Sequence, residues 1–423
     1  MRYEESSQAV KWQLSSQAEL NSLRERANRR ARDVLAGEES SSENNGTTAA
    51  ADGNDSQSAT ATKAAAIPLE VFGFAATRGE RPKSTDDDVV GQTLMSEDDP
   101  NYGPTKTSKA RGSNAMLTPS DEALLLSFYC SKIPLLIGPH ATLPRCKRDA
   151  KVAATASLLF RRFYLSNSVM MHDPKTMLAA AAFLAAKVED CMLDVRYLEM
   201  GTTEMNAPVP LNDILDAEIR LMNGIDFDLL VFSPYKTILP IVEDLRTFLK
   251  TERGKKLVKW KKGEQRQLVG EDLRPIHDTA MKIVDDVIVS DIPLMYAPGE
   301  VGTAVLVVAN EDVHNSRNIG DGGEGDKTES PEIDIEGYVR SRFEDTDESG
   351  VVVDSAAIEA FVERFTRLSV LVRELREGKH GCGNYNADMN ELKAVNKKLK
   401  KCRAWGSSDK KEKKKRKRKE AEE

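Results

Sequence analysis

The sequence predicts an all-α protein that contains two tandem helical units. The first observation is periodicity: from Leu117 onward apolar residues recur three or four positions apart, and no run in the first unit alternates as a strand does. The second is a pair of helix-start signals, Thr118-Pro119 and Asp173-Pro174, in which a capping side chain precedes a proline suited to the first helical turn. The third is an internal repeat of this pattern.

The internal repeat has a spacing of 124 residues. Residues 162–180 align without a gap on residues 286–304, and both segments have the pattern of a helix, a short turn and a helix that starts with proline. The identical aligned residues are Ser166 with Ser290, Met171 with Met295, Pro174 with Pro298 and Ala180 with Ala304. Self-similarity at a fixed spacing indicates a duplicated structural unit. We therefore expect one unit over 116–232 and a second over 233–376.

Before these units, an N-terminal segment of residues 1–36 contains a predicted helix over 15–35. Ser16 and Glu19 have the spacing of a capping box. Apolar residues form one stripe and arginines cover much of the remainder: the stripe is Leu20, Leu23, Ala27, Ala31 and Val34, and the arginines are Arg24, Arg26, Arg29, Arg30 and Arg32. This pattern has two interpretations, a solvated arginine-rich face or a helix that docks on an acidic partner surface.

The helices of the first unit follow from its apolar stripes. Pro134 predicts that the helix starting at Pro119 kinks or ends early. A second stripe consists of Val152, Ala156, Leu159, Phe160 and Phe163. The helix over 174–188 is apolar nearly all round, so we expect other helices to surround it. A further helix is predicted over 211–225.

In the second unit, Ser233-Pro234 opens one amphipathic helix, and a later one begins near Ile358. Polar insertions are predicted at 251–271 and 312–350. Residues 37–115 form a low-complexity insertion that is too polar to fold alone and is predicted to be disordered. The segment 377–406 contains a predicted amphipathic helix, for which packing on the core and docking on a partner are both open.

The charge is unevenly distributed. The whole chain of 423 residues has a formal net charge of −7, whereas residues 409–423 carry nine positive and five negative charges. The basic tail, 407–423, is typical of a nuclear-import signal or of loose contact with a polyanion. The residues assigned to nuclear import are Lys413, Lys414, Lys415, Arg416, Lys417, Arg418 and Lys419.

Signatures of catalysis are weak, and we expect no enzyme and no cofactor. The five histidines lack metal-ligand spacing, no GxSxG motif occurs, and the five cysteines form no CxxC pair. The sequence GDGGEGDKT at 320–328 resembles a phosphate loop, but Asp326 breaks the required Gly-Lys step. No apolar run approaches the roughly 18–20 residues of a membrane span, and the first residues lack the apolar core of a signal peptide.

Glu218 occupies an unusual position. On a helical wheel it lies near the middle of an apolar face made of Leu211, Ile214, Leu215, Leu221, Met222 and Ile225. A carboxylate there has to become neutral or find a cation. The candidate cation is Lys187, at the end of the apolar helix over 174–188. The pair is either a private structural ion pair or a polar element of an interface core.

Three stretches together resemble the cyclin box. They are FRRFYLSNSVM at 160–170, FLAAKVED at 183–190, and Glu218 placed nine residues before Phe227 in IDFDL. The N-terminal sequence SSQAVKWQLSSQAELNSLRERANRR, at 6–30, is similar to the opening of the cyclin H group of that family. The resemblance covers 1–35 and 117–310, and extends over 355–405 only as a helix pattern.

The resemblance implies two tandem five-helix cyclin-box repeats, and a non-catalytic subunit that binds and activates a cyclin-dependent kinase. In such proteins a lysine and a glutamate contact the kinase around its mobile αC helix, and these roles fall on Lys187 and Glu218. The apolar seat for that helix falls on Leu184, Val188, Met222 and Phe227. The implied assembly is the CDK-activating kinase, with a RING-finger assembly subunit, attached to the TFIIH core in the nucleus and acting on the RNA polymerase II tail.

Other functions remain as alternatives. A cyclin of another transcriptional kinase, of the C, K, T or L groups, would not be expected to share the N-terminal stretch. A general transcription factor with paired cyclin folds would need a zinc ribbon and a basic body, whereas the body here is acidic. An RNA-binding helical protein would need aromatic stacking surfaces. We therefore expect neither sequence-specific DNA binding nor membrane association.

Overall fold

The computed structural model describes residues 3–36, 116–260, 270–318, 331–345, 355–378 and 388–403. The insertion at 37–115 and the basic tail at 407–423 both lie outside the described residues. Within the described ranges the chain is mostly helical with almost no strand, so the predicted all-α class is confirmed. Among these residues, none of the helices combines the length and the hydrophobicity that crossing a bilayer requires.

The N-terminal segment begins with a 3-10 turn, Tyr3–Glu5, and a π-helical turn, Gln8–Trp12, followed by α1, Gln17–Ala36. The first repeat then contains α2 Pro119–Cys130, α3 Ile133–Leu136, α4 Ala150–Ser166, α5 Pro174–Val188, α6 Val195–Glu204 and α7 Leu211–Gly224, with a 3-10 turn at Pro144–Cys146. Thr118 caps α2 with a complete capping box formed with Asp121. As Pro134 predicted, the first helix is interrupted, and α2 and α3 together take its place.

The second repeat contains α8 Tyr235–Phe248, α9 Glu252–Lys255, α10 Gly270–Val287, α11 Ile292–Met295, α12 Pro298–Asn318, α13 Ile335–Asp345 and α14 Ser355–Arg376. Helix α15 covers residues 389–403. In the described part of the chain, each repeat surrounds one central helix that starts with proline. Helix α5 packs against α2, α4, α6 and α7, and α12 packs against α8, α10, α13 and α14. The predicted duplication is therefore visible as two similar helical bundles, one around α5 and one around α12.

The stretch at 312–350, predicted as a polar insertion, is not loop throughout. Helix α12 continues to Asn318, and α13 is a further helix of the second repeat, between α12 and α14. Buried Tyr338 and Val339 anchor α13 despite its acidic surroundings. The insertion at 251–271 likewise contains α9 and a two-residue strand, β1 Val258–Lys259, which pairs antiparallel with β2 Glu332–Ile333. Two residues are too few to produce a detectable alternation in the sequence.

Helix α1 lies across the joint between the two repeats. Its Arg24 makes two hydrogen bonds, of 2.7 and 2.8 Å, to the carboxylate of Asp291 in the second repeat. Buried Arg161, on α4, contacts the same carboxylate and donates to the Val289 carbonyl oxygen. Arg30 donates to the carbonyl oxygen of Ser166 at 2.8 Å. Arg24 and Arg30 thus dock α1 on its own chain, so the arginine-rich face of α1 is not merely solvated.

Helix α15 packs on the first repeat, so the core-packing interpretation of this helix is the one that the structure supports. Its apolar side is buried and consists of Leu392, Val395, Leu399 and Cys402. Two ion pairs fix its direction. Lys398 lies 3.1 Å from Asp121 at the start of α2, and Arg403 lies 2.7 Å from Asp173 at the start of α5.

Candidate partner-binding surface

Lys187 and Glu218 form the ion pair that the sequence predicted. Lys187 lies in the last turn of α5 and Glu218 lies near the middle of α7, two helices that pack side by side. The Lys187 Nζ atom is 2.8 Å from each carboxylate oxygen of Glu218. The side chain of Glu218 is 7% exposed and that of Lys187 is 52% exposed. A buried carboxylate thus holds a lysine whose side chain is about half exposed.

The lysine also lies over an aromatic ring. Its Nζ atom is 4.1 Å from the centroid of the Phe183 ring, one turn earlier on α5. A cation at this distance from a ring face is attracted by the ring quadrupole. Being at the C-terminal end of α5, the ammonium is also favoured by the helix dipole. These contacts hold the charge in place without covering it.

The next residues close the end of α5. The Glu189 carboxylate accepts a hydrogen bond of 2.7 Å from the Thr155 hydroxyl and lies 3.5 Å from Lys151, so it ties the end of α5 to α4. Asp190 has a φ of 54°, a left-handed conformation that turns the chain away from the helix. The acids after Lys187 are therefore parts of the helix end rather than ligands of the same surface.

The predicted apolar residues lie at different depths. Leu184 is 3% exposed and is packed beneath the surface, while Val188 and Met222 are partly buried. Phe227 is 54% exposed just after α7. The structure thus brings three of the four near the surface, and Leu184 can influence a partner only through the side chains that cover it.

Two exposed apolar residues next to this site were not predicted. Ile219 follows Glu218 on α7, and Leu230 follows Phe227 in the connection to the second repeat. The signal for Ile219 was available, because an isoleucine lies off the buried stripe of an otherwise amphipathic helix. We call the surface formed by Lys187, Glu218, Ile219, Met222 and Phe227 the α5–α7 edge. It combines one accessible cation, one buried anion and exposed apolar side chains, which suits a specific protein interface.

A metal centre finds no support in the part of the chain that the structure describes, because no group of three or more His, Cys, Asp or Glu side chains is arranged to hold an ion there. The phosphate-loop-like sequence at 320–328 lies outside the described residues.

Comparison with known proteins points to one family. The family described as "Cyclin, N-terminal domain" matches residues 144–230, which include Lys187, Glu218 and Phe227. Cyclin-H1-1 of Arabidopsis thaliana is 27% identical over 194 residues, which are 46% of this chain and 50% of that protein. Cyclin CCL1 of Saccharomyces cerevisiae is 28% identical over 195 residues, 46% of this chain and 43% of that protein. The chain thus spans about half the length of the curated relatives that it matches.

A solved structure shares the fold. It is a chain in the structure of the CAK complex from Chaetomium thermophilum bound to ATP-γ-S, with a TM-score of 0.55 and 19% identity. The match covers 95% of this chain and 88% of that chain. At this identity the likeness establishes the fold, which agrees with the two helical repeats described above. With a cyclin N-terminal domain at 144–230 and relatives of the cyclin H group, the protein is cyclin H-like.

Proposed function

We propose that this chain is a regulatory cyclin subunit that binds and activates a cyclin-dependent kinase of the CDK-activating type. The observation that carries the proposal is the Lys187–Glu218 pair, in which a buried carboxylate presents a half-exposed lysine beside exposed apolar side chains. A purely structural pair would have no need of an accessible ammonium at the edge of an apolar surface. The names of the relatives, cyclin H1-1 and CCL1, support the same function.

The mechanism is a shift between two positions of a kinase helix. In protein kinases a lysine–glutamate pair that involves helix αC must be in place to complete the ATP site. A partner that binds one position of αC better than the other raises the population of that position. Lys187 donates hydrogen bonds to the kinase backbone around αC, Glu218 fixes the lysine and accepts from the kinase, and Val188, Met222 and Phe227 receive its apolar side chains.

The wider assembly is also part of the proposal. The kinase and this subunit join a RING-finger assembly subunit and the TFIIH core, and the complex phosphorylates the RNA polymerase II tail in the nucleus. The basic residues Lys413 to Lys419 direct nuclear import. The subunit itself performs no catalysis and needs no cofactor. Its acidic body, net −7 even with the basic tail included, disfavours direct sequence-specific binding to DNA.

The decisive experiment identifies the kinase. The tagged protein is purified from cells of its own source at low salt, and the co-purifying kinase is identified by mass spectrometry. We expect the catalytic subunit of the CDK-activating kinase together with a RING-finger protein. Recovery of a different transcriptional kinase would assign the chain to another cyclin group, and recovery of no kinase would contradict the proposal altogether.

A further inference from the structure

The connection between the two repeats begins with an unfavourable backbone. Asp226 and Phe227 have φ angles of 52° and 57°, so two successive residues adopt the left-handed conformation. Asp tolerates this conformation, but a bulky side chain rarely adopts it unless its surroundings enforce it. In this segment Phe227 and, a few residues later, Leu230 are exposed rather than buried. We call residues 226–232 the linker turn.

The N-terminal segment binds the acidic side chains of the linker turn. The Lys11 Nζ atom lies 2.7 Å from Asp226 and 3.1 Å from Asp228. The Trp12 indole N–H donates to the Asp228 carboxylate at 3.0 Å. Lys11 and Asp226 are both largely shielded from solvent, with 16% and 7% of their side chains exposed. Charge-assisted hydrogen bonds in such a shielded setting are stronger than those between exposed side chains.

The same segment also holds the far end of the linker turn. The Gln8 side-chain amide donates to the Phe232 carbonyl oxygen at 3.3 Å and accepts from the Phe232 backbone N–H at 2.7 Å. Both backbone groups of Phe232 are thus satisfied by one side chain more than two hundred residues away in sequence. We call Gln8, Lys11 and Trp12 the N-terminal latch.

Arg162 on α4 contacts both the N-terminal latch and the linker turn. Its Nη1 atom donates to the carbonyl oxygens of Asp228 and Leu230 at 3.2 and 3.1 Å. Its guanidinium carbon lies 5.5 Å from the centroid of the Trp12 ring. Complete burial lowers the pKa of Arg162 to about 10, so the side chain remains charged at neutral pH. The linker turn is therefore clamped between the latch and α4.

We propose that the N-terminal latch is a positioning device for the kinase-facing surface: it holds the linker turn in the conformation that presents Phe227 and Leu230. Lys11 and Trp12 are positioning residues, since they act through Phe227 and Leu230 rather than by touching the kinase. This inference rests on the proposed function for its kinase-related part. When the latch is released, the two left-handed residues relax and Phe227 loses its defined position.

Hydrogen exchange of the free protein tests the structural part without any kinase. In Lys11→Ala we expect the backbone amides of 226–232 to exchange about tenfold faster, a change equivalent to the loss of one shielded charged contact. Exchange in α5 should stay as in the wild type, and Lys11→Arg should restore protection of the turn. The matched control is Lys398→Ala, which breaks another lysine–aspartate contact between a terminal segment and the first repeat. Unchanged exchange of 226–232 in Lys11→Ala would overturn the latch.

A double-mutant cycle on kinase binding tests the functional part. We expect Lys11→Ala to weaken binding to the co-expressed kinase about tenfold, and to weaken it hardly further once Phe227→Ala is present, because coupled residues are not additive. Full additivity of the two changes, or no loss from Lys11→Ala while Phe227→Ala weakens binding, would contradict the positioning role. If Phe227→Ala and Lys187→Ala both bind like the wild type, the proposed function fails at this surface, while the exchange experiment still decides whether the latch holds the turn.

Discussion

Glu311 on α12 stands 124 residues after Lys187 on α5, and it carries the opposite charge. Just as Lys187 pairs with Glu218 on the last helix of the first repeat, Glu311 pairs with Arg373 on α14, the last helix of the second repeat, at 2.6 and 2.8 Å. The cation and the anion have exchanged helices between the repeats. A partner group that accepts hydrogen bonds from Lys187 would therefore meet a carboxylate at the equivalent place in the second repeat, so the two edges cannot bind the same ligand.

This exchange of charge provides a matched pair of variants. We expect Lys187→Ala to weaken kinase binding about tenfold or more, because a hydrogen bond to a charged group contributes about 1.5–3 kcal/mol. Glu311→Ala, at the repeat-related position, should bind within about twofold of the wild type. Biolayer interferometry with the purified kinase measures both.

Stability serves as the control for this pair. Lys187 is half exposed but Glu218 is only 7% exposed, so Lys187→Ala leaves a buried carboxylate without its cation, and we expect a loss of about 1–3 kcal/mol of unfolding free energy with the protein still folded. Glu218→Ala should likewise fold and weaken kinase activation. Equal losses of binding from Lys187→Ala and Glu311→Ala would show that the α5–α7 edge has no special role.

Asp291 should dominate the stability of the joint between the repeats. In Asp291→Asn the buried guanidinium of Arg161 and the largely buried one of Arg24 lose their shared carboxylate, and we expect a loss of about 3–5 kcal/mol in urea unfolding. Burial raises the pKa of Asp291, but Arg161 and Arg24 outweigh it and hold the pKa below its usual range. A lowered folded-state pKa means stability that is present above the ordinary pKa of about 4 and is lost as pH falls through the folded value.

The control for Asp291 is Asp244→Asn. Asp244 also contacts an arginine, Arg342, but both side chains are more than a third exposed. We expect this change to cost less than about 1 kcal/mol. A similar loss from the two variants would mean that the Asp291 contacts contribute no more than a surface pair.

The contribution of Glu122 to stability should depend on pH in the opposite direction to that of Asp291. Burial raises its pKa from 4.5 to about 7, against the opposing hydrogen bonds from Ser168 and Asn28. Because the folded pKa is raised, this contribution to stability is complete below about 4.5 and is lost as pH rises through 7. Glu122→Gln keeps an acceptor for both donors and cannot ionise. We expect the unfolding free energy of Glu122→Gln to exceed that of the wild type by on the order of 3 kcal/mol at pH 8 and to match it near pH 4.5.

Urea unfolding at the two pH values measures this effect. The control is Glu122→Ala, which also removes the charge but leaves the Asn28 and Ser168 donors without that acceptor, and should be less stable than Glu122→Gln at both pH values. If Glu122→Gln and the wild type differ equally at pH 4.5 and pH 8, the carboxyl does not titrate in this range.

The basic tail is predicted to drive nuclear import. Replacing Lys413 to Lys419 by glutamine in a fluorescent fusion should shift the protein from the nucleus to the cytoplasm, because import signals of this type depend on clustered positive charge. Replacing the acidic residues Glu420, Glu422 and Glu423 by glutamine is the control and should leave the distribution unchanged. A tail variant that stays fully nuclear would refute the assignment.

Features with local chemistry were predictable from sequence. Pro174 and Pro298 both start helices, because proline suits the first turn wherever it occurs. The Lys187–Glu218 pair was predictable because a carboxylate on an apolar face needs a cation, and Lys187 stands at the end of an apolar helix expected to pack beside it. Periodicity could not show that Leu184 lies beneath the surface, because α5 is apolar nearly all round and offers no polar side as a reference.

Contacts between distant segments were not predictable. Lys11 meets Asp226 across 215 residues, and Arg24 meets Asp291 across 267. Nothing in the spacing of either pair indicates that its members touch, since only the folded arrangement of the repeats brings them together. Helix α13 was missed for another reason: its short apolar stripe is embedded in an acidic stretch that resembles a polar insertion.

The carboxylate shared by Arg24 and Arg161 also bears on how the chain acquires its structure during synthesis. Arg161 leaves the ribosome 130 residues before Asp291, and Arg24 leaves it still earlier. At roughly 5–20 residues per second, the guanidiniums of Arg24 on α1 and Arg161 on the first repeat remain without their shared counter-ion for several seconds or longer. An early docking of the N-terminal helix would therefore be provisional, and the nascent first repeat would be a natural client for chaperones until the second repeat delivers the missing anion.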